Sequence, residues 1–117
     1  MENWKLFLDD IRLPAEKGFI LARSVADAKY YIEQWGCPSF ISFDHDLGSM
    51  GYEKDFVEES GYYLAKWLVY RDAYSPNFIP ENFDFTVHSQ NPVGAENIRT
   101  YLNNYLRWSG KKCWSVV

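Results

Sequence analysis

Long apolar runs and clusters of basic residues are both missing from this sequence of 117 residues. No apolar run approaches the ~18 residues of a membrane-spanning helix, so we predict no contact with a membrane. There is no Lys/Arg stripe, and the net charge is −4, which argues against binding along a long nucleic acid. A short RNA end or a nucleotide stays compatible with this charge, because a few local donors suffice to hold a phosphate.

Cysteine and histidine are also scarce. Cys37 and Cys113 do not follow a metal-ligand spacing, and we interpret them as reduced, buried thiols, with a disulfide as the less favoured alternative. The first residues contain no apolar core of a signal peptide, so we expect a cytoplasmic protein. Aromatic residues, by contrast, make up 19% of the chain, which is not typical of a disordered tail. The length fits one domain over residues 1–117.

Short apolar runs alternate with segments of helical periodicity. Strands are predicted at residues 4–8, 19–22, 40–43, 83–87 and 111–117. Helices are predicted at residues 24–36, 60–71 and from 91 onward, and Ser24 and Asn91 have the character of N-caps. The alternation indicates an α/β fold: a mostly parallel five-stranded sheet with helices on both faces, which is a three-layer sandwich.

The connection between the first two predicted strands is short. It has only about eight residues, too few for a crossover helix, so we expect that helix to be missing. An extended loop can return across a short strand at ~3.3 Å per residue, which would keep the second strand parallel. An antiparallel second strand is the alternative. Farther along, residues 47–55 are predicted to form a loop that could act as a lid.

Three of the predicted strands run directly into polar side chains: Asp9-Asp10, Asp44-His45-Asp46 and His88-Ser89. The carboxyl ends of parallel strands share one edge, where open α/β sheets bind ligands, so these groups should converge. Crowded carboxylates repel one another and favour a cation, and Mg²⁺ prefers oxygen ligands. We therefore predict that Asp9, Asp10 and Asp46 (or Asp44) bind Mg²⁺ or another divalent cation. Two alternatives need no metal. The positive charge could come from Arg12, Lys111 or Lys112, or Asp9-Asp10 could simply be a solvated strand end.

The two histidines suggest acid–base chemistry, because a neutral and a protonated imidazole can act as general base and general acid near neutral pH. His45 and His88 are the candidates, with Asp44 orienting a ring. Two packed or capping histidines are the plain alternative. Strand alternation also points His45 away from Asp44 and Asp46, which counts against a mechanism that uses both histidines.

A phosphate site is predicted beside His88, where a helix begins. Free backbone N–H groups at a helix start favour a phosphate. Ser89, Asn91 and the amides near Gly94 would hold it, and Arg12 would neutralise its charge. The predicted ligand is a small phosphate ester or diester. A nearby aromatic residue could stack a base; the candidates are Tyr52, Tyr62, Tyr63 and Trp67.

Four ordered motifs resemble the cyclic-phosphate processing receiver-like domain, which occurs in bacteria and their phages. They are LFLDDIRLP at 6–14, FDHDLG at 43–48, SGY at 60–62 and VHSQNPVG at 87–94. The resemblance implies a receiver-like (flavodoxin-like) fold and the handling of cyclic phosphates on RNA ends or nucleotides.

The broader similarity is to response-regulator receiver domains. Those domains place an acidic pair after the first strand, a phospho-accepting Asp after the third and Ser or Thr after the fourth. Asp9-Asp10, Asp44 (or Asp46) and Ser89 match these places. The Lys that receivers carry after a fifth strand has no match here, and His45 and His88 are additions, which weakens the case for phosphotransfer.

Three functions follow as hypotheses. The leading one is a phosphoesterase that opens a cyclic phosphate, such as a 2′,3′-cyclic RNA end in RNA repair, or a cyclic nucleotide. The second is a non-catalytic receiver-like module that binds a nucleotide or a protein partner. The third, a receiver phosphorylated on Asp44, is the least favoured. The oligomeric state stays open.

Overall fold

The structure is a computed structural model, and it describes residues 3–44, 60–89 and 91–110. In this part of the chain, strands and helices alternate as predicted. In chain order they are β1 (Lys5–Leu8), β2 (Phe19–Ala22), α1 (Val25–Trp35), β3 (Phe40–Phe43), α2 (Gly61–Tyr74), β4 (Asp84–Val87) and α3 (Pro92–Trp108). The fifth strand predicted at 111–117 lies outside the described residues.

The strands form a parallel sheet in the order β2-β1-β3-β4. This is the order of a receiver-like, flavodoxin-like α/β fold as far as the described strands extend, so the predicted fold class is confirmed. The direction of strand addition reverses between β1 and β3. In doubly wound sheets such a reversal opens a crevice at the carboxyl ends of the two strands, where ligands bind.

The missing first crossover helix is also confirmed. Residues 9–18 connect β1 to β2 without a helix, and β2 is parallel to β1, so the extended loop is the correct one of the two alternatives. This connection crosses the sheet in the opposite direction to the one from β2 to β3. The right-handed crossover rule therefore assigns residues 9–18 to the sheet face opposite the helices.

One face of the sheet carries the main hydrophobic core. Alternate strand residues, such as Leu6 and Leu8 of β1, form a single buried cluster with side chains of all three helices. Members from the helices include Ile32 of α1, Leu68 of α2 and Leu102 of α3. Phe7 and the other residues of the opposite face are not in that cluster. Among the described residues the helices thus form one layer, and the predicted second helical layer is not seen.

Capping side chains determine where the helices begin. Ser24 accepts a hydrogen bond from the backbone of Asp27, Ser60 from that of Tyr63, and Asn91 from that of Gly94. Each satisfies a donor that would lack a partner within its helix. Helix α2 extends past the predicted end at residue 71 to residue 74, just before Pro76. Within the described residues, no helix combines the length and apolar content needed to cross a membrane.

Candidate functional site

Three side chains meet at the carboxyl edge of the sheet, where β1, β3 and β4 end. They belong to Asp9, Asp44 and His88, each of which follows the last residue of its strand. The backbone N–H of each donates to the last residue of the neighbouring strand, at 3.0, 3.0 and 2.8 Å respectively. The sheet ladder therefore holds all three in one row, and one ligand atom of each lies within 4.8 Å of the others.

Asp9 is the most tightly held member of this row, and its side chain is only 2% exposed. Its Oδ1 accepts hydrogen bonds from the backbone N–H groups of Ile11 and Arg12, both at 2.9 Å. Burial acts to raise the pKa of Asp9, but these two donors and His88 together outweigh it and lower that pKa. Asp9 is therefore ionised at neutral pH.

The imidazole of His88 lies between an acid and a hydroxyl group. Its Nε2 is 2.9 Å from Asp9 Oδ2, and its Nδ1 is 2.7 Å from Ser42 Oγ. Ionised Asp9 can only accept, so Nε2 carries a proton, and in the neutral ring the Ser42 hydroxyl donates to Nδ1. The ring also stacks on Phe7, with centroids 4.6 Å apart and planes at 4°. In this arrangement protein groups engage both ring nitrogens.

Two arginines line the turn that follows β1. Arg12 donates through Nη1 to the carbonyl oxygen of His88 at 2.9 Å, which joins the turn to the end of β4. Arg23 donates through Nη1 to the carbonyl oxygens of Asp9 and Arg12, at 3.0 and 2.7 Å. Arg23 follows β2 in the way that Asp9 follows β1. Both guanidinium groups are therefore fixed next to the acidic row.

The predicted phosphate corner is partly used by the protein itself. Asn91 Oδ1 accepts from the backbone N–H of Gly94 at 2.9 Å, and Ser89 Oγ accepts from the backbone N–H of Asn91 at 3.1 Å. These contacts form the cap of α3, so the Gly94 amide already has a partner. A phosphate at this corner would instead use the Ser89 hydroxyl as a donor, together with Arg12.

The structure brings some of the predicted site residues together and leaves others untested. Asp9, Asp44 and His88 converge, with Arg12 beside them; Asp10 is half-buried and does not join the cluster. His45, Asp46 and the predicted lid lie outside the described residues. The prediction did not include Phe7, Ser42 and Arg23. No local sequence signal marks them, because their contacts depend on strand register and on side chains that cross between strands.

The parallel sheet and the acidic cluster where its strand order reverses are consistent with a receiver-like domain. The sequence profile of the cyclic-phosphate processing receiver domain matches residues 4–104, which is most of the chain. The chain therefore belongs to this family. Comparison with curated proteins and with solved structures finds no significant match.

Proposed function

We propose that this chain is a phosphoesterase that opens a cyclic phosphate diester and leaves a phosphate monoester. In this reaction water adds to phosphorus, the bond from phosphorus to one ribose oxygen breaks, and that oxygen leaves as a hydroxyl after gaining a proton. Membership of a cyclic-phosphate processing family supports the substrate class. The observation that carries the proposal is the meeting of Asp9, Asp44 and His88 at a ligand-binding edge of the sheet.

The donor set of this row suits a divalent cation, because two carboxylates and one imidazole each offer a ligand atom and these atoms lie within 4.8 Å of one another. Asp9, Asp44 and His88 would hold the ion, whose charge would offset the negative charge that develops on the phosphate. One imidazole beside two carboxylates suits Mn²⁺ or another transition metal at least as well as Mg²⁺.

Ser42 would act as a positioning residue for this arrangement. A ligand His must present an unprotonated nitrogen, so Nε2 would lose its proton and Nδ1 would carry one. The Ser42 hydroxyl, 2.7 Å from Nδ1, can accept that hydrogen bond as readily as it donates in the neutral ring described above. Such an outer hydrogen bond orients a ligand imidazole.

The direct test is turnover of a 2′,3′-cyclic nucleotide by the purified chain with Mg²⁺, Mn²⁺ or Zn²⁺, followed by the appearance of the monoester. We expect activity that needs a cation and falls about 100-fold or more in His88→Ala and Asp44→Asn. Asp84→Asn is the matched control, because Asp84 lies on β4 at its opposite end. Absence of turnover with every cation, or unchanged turnover in His88→Ala, would refute the proposal.

A non-catalytic binding module is the second candidate, and one observation favours it. Both nitrogens of His88 already have protein partners, so neither is directed to a substrate. A module of this kind would bind the cyclic nucleotide, keep that affinity in His88→Ala and form no product. Calorimetric titration beside the turnover assay separates the two functions.

A further inference from the structure

We propose that Arg23 is a positioning residue for the candidate site. Its guanidinium group holds residues 9–12, which we call the β1 turn, in the conformation that presents both Asp9 and Arg12 to a ligand. The inference rests on the proposed function for the ligand-binding roles of Asp9 and Arg12. The contacts between Arg23 and the β1 turn are the same whether or not the chain is an enzyme.

The β1 turn is closed on one side by the carboxylate of Asp9. Its Oδ1 accepts hydrogen bonds from the backbone N–H groups of Ile11 and Arg12, both at 2.9 Å, as aspartate side chains do in turns that they begin. With Oδ1 engaged in this way, Oδ2 lies 2.9 Å from His88 Nε2. The conformation of the β1 turn therefore determines which oxygen of Asp9 faces the acidic row.

Arg23 closes the same turn through its carbonyl groups. Its Nη1 donates to the carbonyl oxygen of Asp9 at 3.0 Å and to that of Arg12 at 2.7 Å. These are the first and last residues of the β1 turn. A hydrogen bond from a charged donor is about twice as strong as one between neutral groups. One nitrogen atom thus joins the two ends of the turn.

Apolar packing contributes little to the order of this segment. The side chains of Ile11 and Leu13 are 78% and 69% exposed. Segments with few buried apolar contacts open locally at low cost in free energy, so polar contacts must keep the β1 turn in place. Arg12 supplies one such contact through Nη1 to the carbonyl oxygen of His88 at 2.9 Å, but that contact requires the backbone of Arg12 to be in position already.

The backbone of Arg23 is itself anchored between a strand and a helix. Arg23 directly follows β2, and the backbone N–H of Asp9 donates to the last residue of that strand, Ala22, at 3.0 Å. The backbone N–H of Arg23 donates to Oδ2 of Asp27, in the first turn of α1, at 3.2 Å. Groups attached to strands and helices hold a site more precisely than groups on loops. Arg23 therefore connects the irregular β1 turn to the regular part of the fold.

Loss of the Arg23 contacts would disturb two ligand-binding groups together. Release of the β1 turn lets the carboxylate of Asp9 rotate and moves the backbone that carries the guanidinium group of Arg12. Removal of an outer hydrogen-bond partner of a metal ligand typically costs about 10–100-fold in metal affinity or activity. A residue that is assigned no contact with the cation or the phosphate would thus affect the affinity for both.

Hydrogen exchange measures the order of the β1 turn without any ligand. The comparison is between wild type and Arg23→Met, which keeps a long side chain but removes the donors. We expect the amides of Ile11 and Arg12 to exchange about tenfold faster in the variant, while amides of β3 such as that of Ile41 keep their rates. Unchanged rates at Ile11 and Arg12 would refute the proposal.

Calorimetric titration of the full chain tests the consequence for ligands, with Mn²⁺ and inorganic phosphate as separate probes. We expect Arg23→Met to bind each about tenfold more weakly. Arg23→Lys, which keeps the charge on a shorter side chain, should lie between Arg23→Met and wild type in both affinity and exchange. If Arg23→Met does not fold, Arg23→Lys carries the same comparison with wild type.

Arg71→Met is the matched control for general loss of stability. It removes a guanidinium group that pairs with Glu33 at 2.7 Å on the helical face, away from the site. Urea unfolding gives the stability of both variants, and Arg71→Met should leave both affinities unchanged. An equal loss of affinity in Arg71→Met and Arg23→Met would overturn the proposal, because general destabilisation would then explain both.

The outcomes also separate this inference from the proposed function. Faster exchange and weaker binding in Arg23→Met, without turnover by wild type, would leave the role of Arg23 intact and refute the phosphoesterase. Turnover by wild type, with unchanged affinities in Arg23→Met, would support the phosphoesterase and refute the positioning role. If wild type binds neither Mn²⁺ nor phosphate, Asp9 and Arg12 have no ligand to hold, and both proposals are overturned.

Discussion

At the scale of single residues, His88 links three strands through one side chain. It belongs to the end of β4, hydrogen-bonds Ser42 on β3 and contacts both Phe7 and Asp9 at β1. A larger residue at position 42 would block the path of the ring. The contacts between Asp9 and His88 thus depend on a small residue that carries no charge and follows no recognisable motif.

Asp9→Asn should weaken the acid dependence of stability. Hydrogen bonds hold the pKa of Asp9 below its usual value of about 3.9, which the unfolded chain would show. Ionised Asp9 therefore adds to the free energy of unfolding above that pH, and the contribution is lost as the pH falls through the lower pKa of the folded state. As the pH falls from about 5 through the lowered pKa of Asp9, wild type should lose more stability than Asp9→Asn.

Urea unfolding at several pH values, with a chelator present, measures this difference. Asp10→Asn is the control, because it removes a neighbouring carboxylate that does not belong to the cluster. An equal flattening of the pH profile in both variants would show that the effect does not belong to Asp9.

At the scale of elements, the first turn of α3 combines a structural cap with a candidate phosphate corner. Asn91→Asp separates these roles, because an aspartate oxygen can still accept from the Gly94 N–H while the added negative charge repels a phosphate. We expect a change in unfolding free energy of only about 0.5 kcal/mol, since Asn and Asp cap equally well. Affinity for a cyclic phosphate should fall severalfold in the same variant, measured by calorimetry.

Asn91→Ala provides the opposite pattern for comparison. It removes the cap without adding charge, and it should destabilise the fold by about 1 kcal/mol. Unchanged phosphate affinity in Asn91→Asp would mean that the ligand does not approach this helix end.

A second link between elements joins α2 to α3 near the carboxyl ends of both helices. Asp72 of α2 is buried and accepts from the hydroxyl of Tyr105 at 2.6 Å and from the backbone of Ile79 at 2.8 Å. Burial first, and then the hydrogen bond to Asp72, raise the pKa of Tyr105 to about 12. The hydroxyl is therefore held in its protonated form by the packing of two helices.

Tyr105→Phe should destabilise the fold by about 1–3 kcal/mol at neutral pH, because Asp72 loses a buried donor. The variant should also lack the loss of stability that the wild type shows at alkaline pH. The unfolded tyrosine ionises near pH 10, so the stability that protonated Tyr105 provides is lost as the pH rises from about 10 to about 12. Denaturant unfolding at pH 8 and at higher pH tests both effects, and Tyr30→Phe, an exposed tyrosine, should behave as wild type.

At the scale of the whole molecule, local signals made most of the architecture predictable. Helix α1 begins after the cap residue Ser24 and ends at Gly36, whose φ is positive, and both signals depend only on nearby sequence. The direction of β2 was not predictable, because residues 9–18 are long enough for a parallel return and short enough for an antiparallel one. The pairing of β2 with β1 in the folded sheet decided it.

The candidate site likewise contains residues that the sequence made predictable and residues that it did not. Asp9, Asp44 and His88 were predictable because each directly follows an apolar strand. Ser42 and Arg23 were not, because their roles depend on strand register and on side chains that cross from one strand to another. The distribution of helices over the two faces was equally beyond local signals, since it follows from the direction of each crossover.

The short connection over residues 9–18 also bears on the order of folding. Parallel strand pairs usually form slowly, because the chain loses entropy in closing a long loop before any strand contact offsets that cost. Here β1 and β2 close through residues 9–18 alone, whereas β1 and β3 are separated by β2 and α1 as well. We expect β1 and β2 to pair early and to act as a template for β3 and then β4. Asp9 would then be in position before Asp44 and His88 arrive with β3 and β4. The site would be the last part of the sheet to be completed.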